Sequence, residues 1–150
     1  MINGELALAE AKRILAKGDR EAVLDLFNYL DTVFYSYGDV PDFYVDIVNE
    51  LIEYALRIED AELEDEAFVI LWLSAFKVNM DLVNIERLID MLDTLRVDHL
   101  EMILELIGAT HNKKYLPVLE RYERHKKRAV AAAAYEAIDE LVVGHQMMYA

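Results

Sequence analysis

Four histidines, His99, His111, His125 and His145, could serve acid–base catalysis or metal ligation near neutral pH. None follows a glutamate at the Glu-x-x-His spacing of helical di-iron sites, and HExxH is absent. Walker A, GxGxxG, GxSxG and the EF-hand loop are absent too. Each histidine falls near the end of a predicted helix, where a solvated ring is expected, so no metal and no cofactor is expected. Carboxylates recur at helical spacing, as in Asp42, Asp46 and Glu53 or Glu101 and Glu105. An acid–base dyad needs burial to separate two pKa values, and in a chain with 29 acids such spacing reads as a solvated helix face. No catalytic residue is expected, and nothing here points to an enzyme.

Binding chemistry is better represented. The stretch FNYLDTVFYSYGDVPDFYVD, from Phe27 to Asp46, holds seven of the fifteen aromatics, interleaved with acids around a Gly/Pro turn. Helical phase places Phe27 and Phe34 in the core, whereas Tyr35, Tyr37 and Phe43 cannot all be buried beside a turn. Exposed rings supply contact area and neighbouring carboxylates pair with Lys or Arg, the composition of a protein-binding surface. The candidate binding residues are Tyr35, Tyr37, Asp39, Asp42, Phe43, Asp46, Glu50 and Glu53. The alternative is that these rings cap one open end of a helical stack.

Helical periodicity runs through the elements that must carry this surface. Leu6, Ala9 and Ile14 begin a short helix stopping near Gly18. Asp19 can cap a second, with Val23, Leu24, Phe27, Leu30 and Phe34 inward. Gly38 and Pro41 break the chain before an amphipathic helix over residues 42–58. Glu64, Asp65 and Glu66 suit the first turn of a helix to about Val78 that is apolar nearly all round and predicted to be central, with Trp72 in the core. Two shorter helices follow, lined by Ile85, Leu88, Ile89 and Leu92 and by Leu100, Ile103, Leu104 and Ile107. A break over Gly108 to Asn112 precedes a last pair, about 113–124 and 126–143. The terminal Met147-Met148-Tyr149 reads as a loosely packed tail. No stretch alternates as a strand does. The expected fold is all-α, seven to eight helices in antiparallel pairs, forming a HEAT-like right-handed superhelix or a compact bundle in one domain.

Composition bounds the rest. The 150 residues include no cysteine, which excludes disulfides and thiolate chemistry. The start shows no signal peptide, and the apolar run AFVILWLSAF is too short to span a bilayer. A cytoplasmic protein without a membrane partner is expected. The net charge is -14, with 11 acids against the single base Arg57 between Asp39 and Glu66. Such a field disfavours nucleic acid and steers a basic partner inward. Against it stands Lys126-Lys127-Arg128, at the start of an alanine-rich helix where positive charge is mildly unfavourable. Compensation by acids of the preceding helices is expected.

The stretch IGATHNKKYLPVLERYERHKKRAVAAAAYEAIDEL resembles a HEAT-like repeat. Ile107-Gly108 matches the turn ending a unit, Leu116-Pro117-Val118-Leu119 the bent first helix, and Val130, Ala134, Ala137 and Ile138 the close-packed second helix. The arginine usual after the second helix's valine is Ala131 here. A fainter echo supports pairing, since Leu100, Ile103, Leu104 and Ile107 recur thirty residues on as Val130, Ala133, Ala134 and Ala137. In size, acidity and helical make-up the chain is similar to bacterial toxin-immunity proteins of the contact-dependent growth inhibition type. That resemblance implies a non-catalytic protein that neutralises a basic toxin, such as a nuclease domain, through an acidic surface. The alternatives are a general adaptor or scaffold subunit, or a lyase-like or nucleic-acid-acting helical-repeat protein with a concave polar pocket.

Overall fold

Asp19 caps as its position implies: its carboxylate accepts from the Ala22 amide at 2.9 Å and opens the helix Arg20–Tyr35. A computed structural model of the chain describes residues 6–144; His145 and the Met147-Met148-Tyr149 tail lie outside them. Among the described residues there are eight α-helices and no strand, an all-α fold. The chain divides into two compact units, Met1–Asn84 and Ile85–Ala150.

The first unit contains α1 (Leu8–Lys17), α2 (Arg20–Tyr35), α3 (Tyr44–Arg57) and α4 (Ala61–Ser74), followed by a 3-10 turn at Met80–Leu82. The core faces follow helical phase: Val23, Leu26, Phe27, Leu30 and Phe34 on α2, and Ile47, Val48, Leu51 and Ala55 on α3, are all buried. Edge-to-face ring pairs bridge these helices, Phe27–Tyr54 at 5.9 Å and Phe34–Tyr44 at 6.1 Å. Each such pair adds about 0.5–1.5 kcal/mol beyond area burial. Arg57 donates to the Leu15 carbonyl at 2.8 Å, satisfying an orphan acceptor near the end of α1, and sits 5.3 Å over the Tyr54 ring.

Two expectations for α4 need correction. It starts at Ala61, not at the acids 64–66, because Asp60 accepts from the amides of Glu62 (3.0 Å) and Leu63 (3.2 Å). Arg20 reinforces this start, reaching Asp60 at 3.0 Å and Glu62 at 2.6 Å; its hydrogen bond is the main cause holding the Asp60 carboxyl below its ordinary range. Secondly, Trp72 is only half-buried. It lies with Asp65, Val69 and Phe76 on the one stripe of this segment that does not face inward, while Leu63, Ala67, Ile70, Leu71 and Ser74 do.

The second unit contains α5 (Ile85–Ile89), a 3-10 turn (Leu92–Thr94), α6 (Val97–Ala109), a 3-10 turn (Lys113–Tyr115), α7 (Leu116–Glu120), α8 (Arg128–Asp139) and a π-helical turn (Glu140–Gly144). Its most extensive helix contact is α6 against α8. The echoed residues Leu100, Ile103, Leu104 and Ile107 on α6, and Val130, Ala133, Ala134 and Ala137 on α8, are all buried. Gly108 belongs to α6 and is not a turn residue. A Cβ there would lie 2.7 Å from the Ala137 carbonyl oxygen, so the glycine permits close approach of the two helices. The chain turns instead at His111, in the left-handed region at φ 54.

The predicted helix over 113–124 is a 3-10 turn plus the five-residue α7. Pro117 sits in its first turn, where the missing N–H costs nothing. Beyond Glu120 the backbone bonds shorten to i→i+3, as from Tyr122 N to Leu119 O (3.0 Å). Tyr122 thereby donates its hydroxyl to Asp93 at 2.5 Å, and Tyr115 donates to Glu86 at 2.9 Å. Burial first, then Asp93, pushes the Tyr122 phenol up to about 12.

Candidate functional site: the aromatic loop of the first unit

The loop between α2 and α3 begins where Ser36 ends α2, its hydroxyl turned back to the Val33 carbonyl at 2.7 Å. Gly38 follows at φ 101, a conformation that side-chain-bearing residues rarely adopt. Lys77, just beyond α4, reaches across and donates its ammonium to the carbonyls of Ser36 and Gly38, the latter at 2.9 Å. This clasp joins the loop to the segment after α4. The segment is fixed in turn by Asn49 of α3, whose side chain donates to the Leu82 carbonyl (3.4 Å) and accepts from the Asn84 amide (2.7 Å).

Around the clasp, large apolar side chains face solvent. Tyr37 is fully exposed, Tyr35 is 68% exposed, Phe76 67% and Leu82 64%. A cleft of about 260 Å³ opens between the start of α3 and the segment after α4, with Val40, Pro41, Asp42, Val45, Val78 and Leu82 among its walls. Phe76 stands edge-to-face against Trp72, with ring centroids 5.8 Å apart.

The candidate residues distribute unevenly over this surface. Tyr35, Tyr37, Asp39, Asp42 and Asp46 are exposed, and the three aspartates make no ion pair among the described residues. Phe43 is half-buried, its ring 5.1 Å from that of Tyr44. Glu50 is half-buried and lies 3.8 Å from the Lys12 ammonium of α1, while Glu53 is half-buried on α3. The loop aromatics and aspartates thus stand together, and Glu50 is engaged with α1. Phe76, Lys77 and Leu82 escaped the sequence reading. The only available signal was that AFVILWLSAF holds more apolar residues than one inward face can take.

No family model, curated protein or solved structure matches the chain.

Elsewhere the histidines divide. His99 is 2% exposed, contrary to the solvated ring expected at a helix end. It lies on the inward stripe of α6 with Ile103 and Leu106, so helical phase outweighs nearness to the terminus. His111 Nε2 lies 2.7 Å from Glu140 Oε1. His125 Nδ1 accepts from the Lys127 amide at 3.0 Å. The basic run also departs from expectation. Lys126, Lys127 and Arg128 are exposed, and none makes an ion pair among the described residues. Arg128 starts α8 and Lys127 occupies its cap position without a side-chain cap, so both can extend into water, where the cost of a cation near the dipole is small. Among the described residues no helix is long and apolar enough to cross a membrane.

Proposed function

We propose that the chain is a non-catalytic binding protein whose first unit takes a basic protein partner on the aromatic loop. One observation carries this reading: Tyr37, fully exposed, follows Tyr35 at the end of α2 and shares its loop with the carboxylates of Asp39 and Asp42, which make no ion pair among the described residues. Exposed rings contribute contact energy when a partner desolvates them, and unpaired carboxylates speed encounter with a cationic surface. The first unit carries 18 Asp/Glu against 6 Lys/Arg, a net of -12 that extends this attraction.

Toxin neutralisation is the specific form of this proposal, with a basic toxin such as a nuclease domain as the partner. A HEAT-like arrangement of the second unit belongs to the same proposal. What supports it is the sequence echo at thirty residues, Leu100, Ile103, Leu104 and Ile107 recurring as Val130, Ala133, Ala134 and Ala137, all of them buried. The test begins with capture of partners from the native host and co-expression with each. A single stoichiometric, basic partner whose toxicity is relieved by this chain supports the reading; an acidic partner overturns it. With the partner in hand, reversing Asp39, Asp42 and Asp46 to lysine should slow association about tenfold or more at low salt and flatten its salt dependence. Unchanged association would remove this surface.

A further inference from the structure

We propose that the cleft beside the aromatic loop seats an arginine side chain of the partner, its methylenes against Val40, Pro41, Val45 and Leu82 and its guanidinium at Asp42. The inference rests on the reading of this surface as a site for a basic partner and names the group it grips.

Size is the first argument. At about 260 Å³ the cleft falls below the roughly 300–1,000 Å³ typical of small-molecule sites and suits one long side chain. The walls are the second. Five of the eight lining residues are valine, proline or leucine, and Leu82 remains 64% exposed. An apolar wall of this kind accepts either a leucine-like knob or the methylene stem of a long cation.

Charge decides between these occupants. Asp42 lines the cleft and makes no ion pair among the described residues, and Asp39 and Asp46 nearby are likewise free of ion pairs. Lys77 also lines the cleft, but its ammonium is spent on the Ser36 and Gly38 carbonyls and so does not answer Asp42. A purely apolar occupant would strip water from the Asp42 carboxylate and return nothing. A long cation places its stem on the walls and its charge on the carboxylate. Arginine fits better than lysine because its guanidinium is more weakly hydrated and can bind a carboxylate through two parallel hydrogen bonds.

The test needs no identified partner. The methyl groups of Val40, Val45, Val78 and Leu82 are followed by NMR at low salt during titration with N-acetyl-arginine methylamide. The matching lysine and leucine compounds are titrated in parallel. The arginine compound should shift these methyls saturably, with the lysine compound at least about threefold weaker. The leucine compound should not saturate. Asp42→Asn should weaken arginine binding about tenfold through loss of the charge-assisted bond. Leu82→Ser, at an exposed position that leaves the fold intact, should weaken it a few-fold through lost apolar contact. A leucine compound that binds as tightly as arginine overturns the proposal, as does an Asp42→Asn protein that titrates like its parent. A silent arginine titration, with partner association still lost on aspartate reversal, sinks the anchor and spares the surface. Saturable arginine binding, with partner association indifferent to reversal, does the opposite.

Discussion

Replacing Gly108 with alanine sets two effects of opposite sign against each other. The substitution removes a glycine from the last turn of α6, which by itself favours the helix by at most ~1 kcal/mol. Against this, the new Cβ would lie 2.7 Å from the Ala137 carbonyl oxygen, 2.8 Å from its Cα and 3.0 Å from its Cβ. Two of these three atoms are α8 backbone, so no rotamer change relieves the contact and the helices must part. Restoring ordinary separation requires a shift of roughly 0.5–1 Å, and a gap of that size forfeits a quarter to a half of the dispersion attraction across it. Overpacking a buried site costs about 1–3 kcal/mol, and a rigid neighbour places this one at the upper end. The balance is a net loss of about 1–2 kcal/mol. Urea denaturation followed by far-ultraviolet circular dichroism should show a lower midpoint at unchanged slope. A Gly108→Ala protein more stable than its parent would mean that helix propensity outweighs the contact, and the account of α6–α8 packing would fall.

Three further outcomes follow from the polar contacts. Tyr122, with its folded pKa raised to about 12 against ~10 in the unfolded chain, contributes stability that is complete below pH ~10 and lost as pH rises toward 12. Tyr122→Phe should therefore flatten the alkaline limb of stability relative to the parent, and parallel limbs in the two proteins would count against the raised Tyr122 pKa. The Asp60 carboxyl is held low chiefly by Arg20, so its contribution is present above the ordinary carboxylate range and fades as pH falls through the depressed folded value. In Arg20→Gln the NMR titration of Asp60 should move up toward that ordinary range; an unmoved midpoint would assign the depression to the backbone amides instead. Lys77→Met removes both bonds of the loop clasp and should speed amide exchange across residues 36–43 while changing global stability by under ~1.5 kcal/mol. Exchange that stays at the parent rate would show that the loop is held by its own turns.

What could be read from sequence was what short-range chemistry controls. The second and third helices were legible because Asp19 supplies a cap and because Gly38 and Pro41 interrupt the period between them. The start of α4 is hard to place from sequence because its cap, Asp60, is one of six acids between Glu59 and Glu66. The predicted helix over 113–124 failed for a different reason. Its apolar spacing is helical, but the Tyr122 hydroxyl bonds to Asp93, and that tertiary contact accompanies a tighter backbone after Glu120. The surplus of aromatics near residues 27–44 implied that some of Tyr35, Tyr37 and Phe43 would be exposed, and Tyr35 and Tyr37 are. The other half of the surface was illegible, because Phe76, Lys77 and Leu82 meet the loop only after about forty residues of chain have folded back through α3 and α4.

The bare cationic turn ahead of α8 has a practical consequence. Arg121, Arg124, Lys126 and Lys127 stand exposed within seven residues, outside any helix, so a trypsin-type protease meets its preferred bonds there in accessible backbone. Between Arg20 and Arg57 there is no lysine or arginine at all, and the aromatic loop therefore survives such digestion within one fragment. Amine-directed coupling follows the same map. Lys126 and Lys127 make no ion pair among the described residues, whereas Lys77, beside the loop, is occupied by two carbonyls. Amine coupling would thus label the turn ahead of α8 before it disturbs the clasp that holds the aromatic loop.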